Sequence, residues 1–110
     1  MKLDLKKTTI DNGTKLFVSG EIDAYTAPQL KEALAPLTSE ENGKTVVDLA
    51  GVDYIDSTGL GIFVGALKEA HNHNGQLKIV SLNHRVKRLF TITGLDEVMD
   101  IDEEKEEAKR

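Results

Sequence analysis

The sequence predicts a single α/β domain, one mixed β-sheet opened by a β-ribbon and packed against α-helices, and three observations carry that prediction. Asp11-Asn12-Gly13 is a strong turn signal between two short apolar runs, as in a hairpin. Further along, β-branched runs alternate with stretches of helical periodicity, as in a layered α/β fold. The chain has 110 residues, the usual size of one domain with one core.

Leu3 and Leu5 belong to the first strand and Thr14 to Val18 to the second. Asn12 and Gly13 between them tolerate the positive φ that a tight turn demands. Thr26-Ala27-Pro28-Gln29 has the form of a capping box. Thr26 is expected to cover free N–H groups there, and Pro28 falls where no intrahelical donor is needed. Leu30, Ala33, Leu34 and Leu37 repeat at i, i+3, i+4 and i+7, so the first helix buries one face, and Pro36 is expected to kink or end it.

Thr45-Val46-Val47-Asp48-Leu49 is a compact β-branched run suited to a central strand. Helical periodicity returns from Ser57 to about Asn72, and Gly75 is expected to close that helix. Leu77 to Leu82 predicts another strand. Asn83 is placed to cap a third helix running through Ile92, with Gly94 as its left-handed terminator. The domain therefore spans residues 1–101, and residues 102–110 form a charged C-terminal tail.

Composition excludes several classes of function. The formal net charge is −5, which disfavours a nucleic-acid backbone or an anionic membrane surface as partner and favours a basic protein. Asp100 to Arg110 holds six acids against three bases, so the body itself is only mildly acidic. There are no cysteines, which removes disulfides, thiolate metal sites and thiol nucleophiles together and suits a reducing cytoplasm. No apolar signal region follows Met1, and the longest apolar stretch, Gly59 to Leu67, is nine residues with three glycines, too short to span a bilayer.

The chemistry is concentrated between Asp53 and Gly65, in Asp53-Tyr54-Ile55-Asp56-Ser57-Thr58-Gly59-Leu60-Gly61-Ile62-Phe63-Val64-Gly65. At about 100° per residue, Leu60, Phe63, Val64 and Leu67 form a buried stripe. Thr58, Gly61, Ile62, Gly65 and Glu69 fall on the opposite, outward side. An interior glycine costs a helix about 0.8–1 kcal/mol relative to alanine, so Gly61 and Gly65 need a reason beyond stability. Either another element of this domain or a partner approaches them closely, and Ile62 beside them favours a partner through its apolar side chain.

Ser57 stands at the strand-to-helix junction, where a serine is ordinarily a helix N-cap. A phosphate on it would add a charge of about −1.5 to −2 at a helix N-terminus, which tolerates an anion. A docked partner would tolerate it less, because Asp56 is adjacent and the new dianion would be desolvated inside the contact.

These segments resemble the anti-sigma factor antagonists (anti-anti-sigma factors), a STAS-domain family, and in particular the RsbV type that controls a general stress sigma factor. The resemblance runs from Gly20-Glu21-Ile22-Asp23-Ala24-Tyr25-Thr26-Ala27-Pro28 through Asp56-Ser57-Thr58-Gly59-Leu60-Gly61 to Arg88-Leu89-Phe90 and Thr93-Gly94-Leu95. It implies a STAS-type fold and a protein that, when unphosphorylated, binds an anti-sigma factor that is also a serine kinase and so frees the sigma factor. It further implies phosphorylation at Ser57, with Thr58 as a secondary acceptor, and reversal by a metal-dependent serine phosphatase. Asp23 matches the family's early acidic motif and is expected near Ser57. Motif and resemblance together give Asp23, Asp56, Ser57, Thr58, Gly59, Gly61, Ile62 and Gly65 as the expected partner-binding residues.

No cofactor and no metal are expected, and no enzyme. A serine nucleophile needs an activating base, and nothing in the spacing of His71, His73 and His84 selects one. Asp56 lacks the phosphate-cradling glycine loop with lysine that a nucleotide enzyme would show. His71-x-His73 has no evident third ligand and fits a solvated helix end. Arg85, Lys87 and Arg88 around Val86, Leu89 and Phe90 fit the wet face of a packed helix. A scaffold or ligand-binding STAS module without a phosphorylation cycle is the alternative reading.

Overall fold

A computed structural model describes residues 2–102. Among these described residues, five strands form one sheet: β1 (Leu3–Ile10), β2 (Gly13–Ile22), β3 (Lys44–Ile55), β4 (Gln76–Val80) and β5 (Asp100–Asp102), side by side in chain order. β1 and β2 are antiparallel, and every later neighbour is parallel. Parallel neighbours need a crossover, and the three helices supply them: α1 (Ala27–Thr38), α2 (Ser57–Asn72) and α3 (His84–Ile92), the last followed by a 3-10 turn at Leu95–Glu97. This is the expected mixed sheet, opened by a ribbon whose turn holds Asn12 at a φ of 64°.

One core joins the layers. Leu16, Val47 and Ile79 stand abreast in the register of β2, β3 and β4, and all three are fully buried. They share a single apolar cluster with Leu30 and Leu34 of α1, Phe63 of α2 and Phe90 of α3. The Phe63 and Phe90 rings meet with centroids 5.9 Å apart and planes tilted by 50°, tying α2 to α3. Each such side chain contributes about 1.5–3 kcal/mol of apolar burial, so the sheet's helix-covered face fixes where each crossover lies. Among the described residues, no helix is long and apolar enough to cross a membrane.

Several local expectations are corrected. α1 runs through Pro36 to Thr38, because the lost donor and the ring clash fall in the helix's last turn, where little of the ladder remains. α2 ends at Asn72 and Gly75 does close it, its N–H donating to the Ala70 carbonyl at 2.8 Å, although the left-handed residue is Asn74, at a φ of 60°, and not Gly75. Gly75 is required for a different reason: a Cβ there would stand 2.7 Å from the Gly43 carbonyl oxygen. Gly94 does adopt the left-handed conformation beyond α3, with φ 79°. β5 was not anticipated, and the boundary drawn after residue 101 falls inside it. The rest of the expected tail, 103–110, lies outside the described residues.

Candidate functional site

β3 runs as far as Ile55 and delivers the chain straight to the start of α2. Asp56 is extended, with φ −110° and ψ −174°, and its carboxylate accepts the Gly59 N–H at 3.0 Å. Its own carbonyl accepts the Leu60 N–H at 3.0 Å and begins the helical ladder. Asp56, not Ser57, is therefore the N-cap. Aspartate caps well because its oxygen reaches the N–H three residues on and its charge faces the positive end of the helix dipole.

The correction changes what Ser57 has to do. It is the first helical residue and is exposed, and no hydrogen bond engages its hydroxyl among the described residues. Thr58 beside it is exposed as well. The first N–H groups of a helix lack intrahelical partners, so an anion carried on Ser57 meets donors and a favourable dipole.

The three glycines of α2 divide sharply. Gly59 is buried, and a Cβ on it would lie 2.5 Å from Ile22 Cγ2 and 2.8 Å from Ile55 Cγ1. It lets the helix start sit directly on the ends of β2 and β3, and it offers no side to a partner, contrary to expectation. Gly61 and Gly65 are exposed, with nothing within 4 Å of a Cβ placed on either. Among the described residues, no other element packs closely on them.

They line an open groove of about 420 Å³ between α2 and α1, bordered also by Lys31, Leu34 and Ala35 and by Ile62 and Glu69. Ile62 is not a free apolar anchor as expected. It is half-buried and packs against the core while facing this groove. The buried stripe of α2 is accordingly rotated toward α1: Leu60, Phe63, Ala66 and Ala70 are deepest, and Val64 and Leu67 are only partly covered.

Asp23 reaches the same end of the sheet. The Ile22 carbonyl accepts the Asp56 N–H at 3.1 Å, so Asp23 and Ser57 each follow a member of that bonded pair. Asp23, however, is only 7% exposed, and its carboxylate is engaged within the turn. Oδ1 accepts the N–H groups of Tyr25 at 2.9 Å and Thr26 at 3.0 Å. The Thr26 hydroxyl makes no cap bond to α1; it accepts the Asp23 N–H at 2.9 Å and donates to the Glu21 carbonyl at 2.8 Å.

Two residues at this end were not singled out from sequence. Tyr25, at the tip of the β2–α1 turn, is 87% exposed, and Tyr54, next to last in β3, is 47% exposed. For Tyr25, an aromatic between Asp23 and Thr26 was the available signal.

The weaker motifs resolve structurally. His73 Nδ1 lies 2.9 Å from the Glu69 carbonyl oxygen and 3.6 Å from its carboxylate, so the ring is occupied on its own helix. Asn83 caps α3 by accepting the Val86 N–H at 2.8 Å, and Val86 and Phe90 are buried while Arg85 and Arg88 face solvent.

Comparisons with known proteins agree with this architecture. The STAS domain family model matches residues 4–108. The chain is 43% identical over 103 residues to an anti-sigma-B factor antagonist from Staphylococcus epidermidis, covering 94% of this chain and 95% of that one. Its fold matches an anti-sigma factor antagonist from Mycobacterium paratuberculosis with a TM-score of 0.82 and 26% identity, over 92% of this chain and 86% of the other. It also matches the phosphorylated form of the Bacillus cell fate determinant SpoIIAA, with a TM-score of 0.70 and 18% identity over 97% and 96% of the two chains.

Proposed function

The chain belongs to the STAS-domain family of anti-sigma factor antagonists, and on that premise we propose that its unphosphorylated form binds an anti-sigma factor that is also a serine kinase, releasing a sigma factor. Phosphorylation of Ser57 ends the complex, and a metal-dependent serine phosphatase restores it. The protein acts in the cytoplasm as a regulator and not as a catalyst.

One observation carries this reading: Ser57 is exposed at a helix start whose capping is done by Asp56, so its hydroxyl is free for modification without cost to the fold. The dianion would sit against the positive end of α2, which the domain tolerates. In a complex the same charge would be buried beside the Asp56 carboxylate, where repulsion and desolvation act together. The exposed face of α2 below it, Thr58, Gly61 and Gly65, is continuous with the α1 groove and gives a partner close backbone access. Thr58 is the secondary acceptor.

The test is to mix purified protein and anti-sigma factor kinase, add ATP, and follow dissociation together with the mass of the Ser57 peptide. One phosphate at Ser57 with release of the complex is the expected result. Ser57→Asp should bind the kinase at least about tenfold more weakly, a loss of ~1.4 kcal/mol, with unchanged circular dichroism. Wild-type affinity in that variant would remove the charge mechanism.

A further inference from the structure

We propose that Tyr25 is a second anchor for the partner, and that Asp23 serves the interface as a positioning residue for Tyr25, not as a charge presented to the partner. The proposal rests on the reading of Ser57 as the regulatory site and names a further part of the same surface.

The contrast within one turn motivates it. Asp23 and Thr26, two residues before and one after Tyr25, are tied into a buried polar network: Asp23 is 7% and Thr26 5% exposed, and Asp23 Oδ1 accepts the N–H groups of Tyr25 and Thr26 at 2.9 and 3.0 Å. The Thr26 hydroxyl closes the network onto the Glu21 carbonyl at 2.8 Å. The Tyr25 side chain that this network supports is 87% exposed. A large aromatic there adds nothing to the core, and the fold fixes its backbone on every side.

That combination suits binding. Tyrosine brings large contact area with few rotatable bonds, and a backbone already ordered loses little entropy on association. Tyrosines are over-represented among the residues that dominate interface energies. The position is also right. The Ile22–Asp56 backbone bond joins the turn's base to the start of α2, and Glu21 and Ile22 pair in register with Tyr54 and Ile55.

Tyr25 and Tyr54 therefore lie at the same end of the sheet as Ser57, together with the carboxylates of Glu21, Asp53 and Asp56. Acids interleaved with exposed tyrosines select a partner surface of opposite charge: an apolar pocket for the ring, edged by Arg or Lys, which also interact favourably with a tyrosine face. The occupant is the anti-sigma factor kinase itself, touching Tyr25 while its catalytic site reaches Ser57.

The experiment titrates purified anti-sigma factor kinase, without ATP, against wild type, Tyr25→Ala, Tyr25→Phe, Asp23→Asn, Asp23→Ala and Ser57→Asp, with a thermal melt of each variant alone. Tyr25→Ala should lose about 30-fold in affinity with an unchanged melt, and Tyr25→Phe should stay within about threefold of wild type. Asp23→Asn keeps an oxygen able to accept both N–H bonds and should bind nearly as wild type. Asp23→Ala should fall with Tyr25→Ala and show faster hydrogen exchange at the Tyr25 and Thr26 amides.

Tyr25→Ala binding as wild type while Ser57→Asp is released overturns the anchor and leaves the switch standing. Ser57→Asp binding as wild type overturns the switch and this inference with it. Asp23→Asn binding as weakly as Tyr25→Ala shows that the Asp23 charge itself is read, which overturns the positioning role. If Asp23→Ala does not fold, the Tyr25 and Asp23→Asn variants still decide both points.

Discussion

The starts of α1 and α2 use the same residue types to opposite ends. Each has an aspartate followed closely by a hydroxyl residue, and each stands at the end of a strand. At α1 the hydroxyl belongs to Thr26, three residues after Asp23, and it is buried between the Asp23 N–H and the Glu21 carbonyl. At α2 it belongs to Ser57, one residue after Asp56, and it points to solvent while the carboxylate reaches over it to the Gly59 N–H. Spacing alone decides the outcome. A hydroxyl three residues beyond the aspartate folds back into the turn, whereas one residue beyond, it is carried outward on the first turn of helix. One start is a structural lock and the other is an available acceptor.

The largest test of that contrast removes each hydroxyl by substitution with alanine. Ser57→Ala should abolish phosphate incorporation by the kinase, read by mass spectrometry, while its chemical denaturation midpoint stays at the wild-type value. Thr26→Ala should do the reverse. Phosphorylation at Ser57 should persist, but stability should fall by about 1–3 kcal/mol, because the Asp23 N–H and the Glu21 carbonyl each lose a buried partner. Phosphate still entering Ser57→Ala at the wild-type rate would make Thr58 the acceptor in fact.

Much of this fold was legible because local signals and tertiary structure agree. The Asn12-Gly13 turn, the span of α2 from Ser57 to Asn72 and the Asn83 cap of α3 follow from propensity, periodicity and capping chemistry that packing then reinforces. β5 was illegible because Asp100–Asp102 has a single apolar residue, Ile101, and is a strand only through its pairing with β4. The extension of β3 to Ile55 was hidden by Ala50 and Gly51, poor strand formers carried along by parallel pairing with β2, whose register slips there.

At the site, sequence singled out the strand-to-helix junction but put the cap on Ser57, whereas Asp56 holds it. Ser and Asp are comparable N-caps, so the composition of Asp56-Ser57 could not say which residue would be extended. Likewise Gly59, Gly61 and Gly65 are alike in sequence; only the positions of Ile22 and Ile55 distinguish the first from the others.

That distinction gives the second test, made within one helix. Gly59→Ala puts a Cβ 2.5 Å from Ile22 Cγ2 and 2.8 Å from Ile55 Cγ1, and Ile22 and Ile55 are themselves at most 1% exposed. Neither can yield without disturbing the core, so the variant should lose about 1–3 kcal/mol by overpacking. A denaturant midpoint equal to wild type would mean that the strand ends can shift away from α2.

The smallest effect in stability is the most informative for function. At Gly61 a Cβ meets nothing within 4 Å, so Gly61→Ala should stabilise the isolated protein by about 0.8–1 kcal/mol through helix propensity alone. The glycine is thus a local cost that the free domain has no use for. If a partner's backbone comes down onto this face, the added methyl group stands between the two and lowers kinase affinity while the fold becomes more stable. Opposite signs for stability and affinity in a single substitution are hard to produce by general damage. Unchanged affinity in the more stable variant would show that the partner stays near Ser57 and leaves the α1–α2 groove empty.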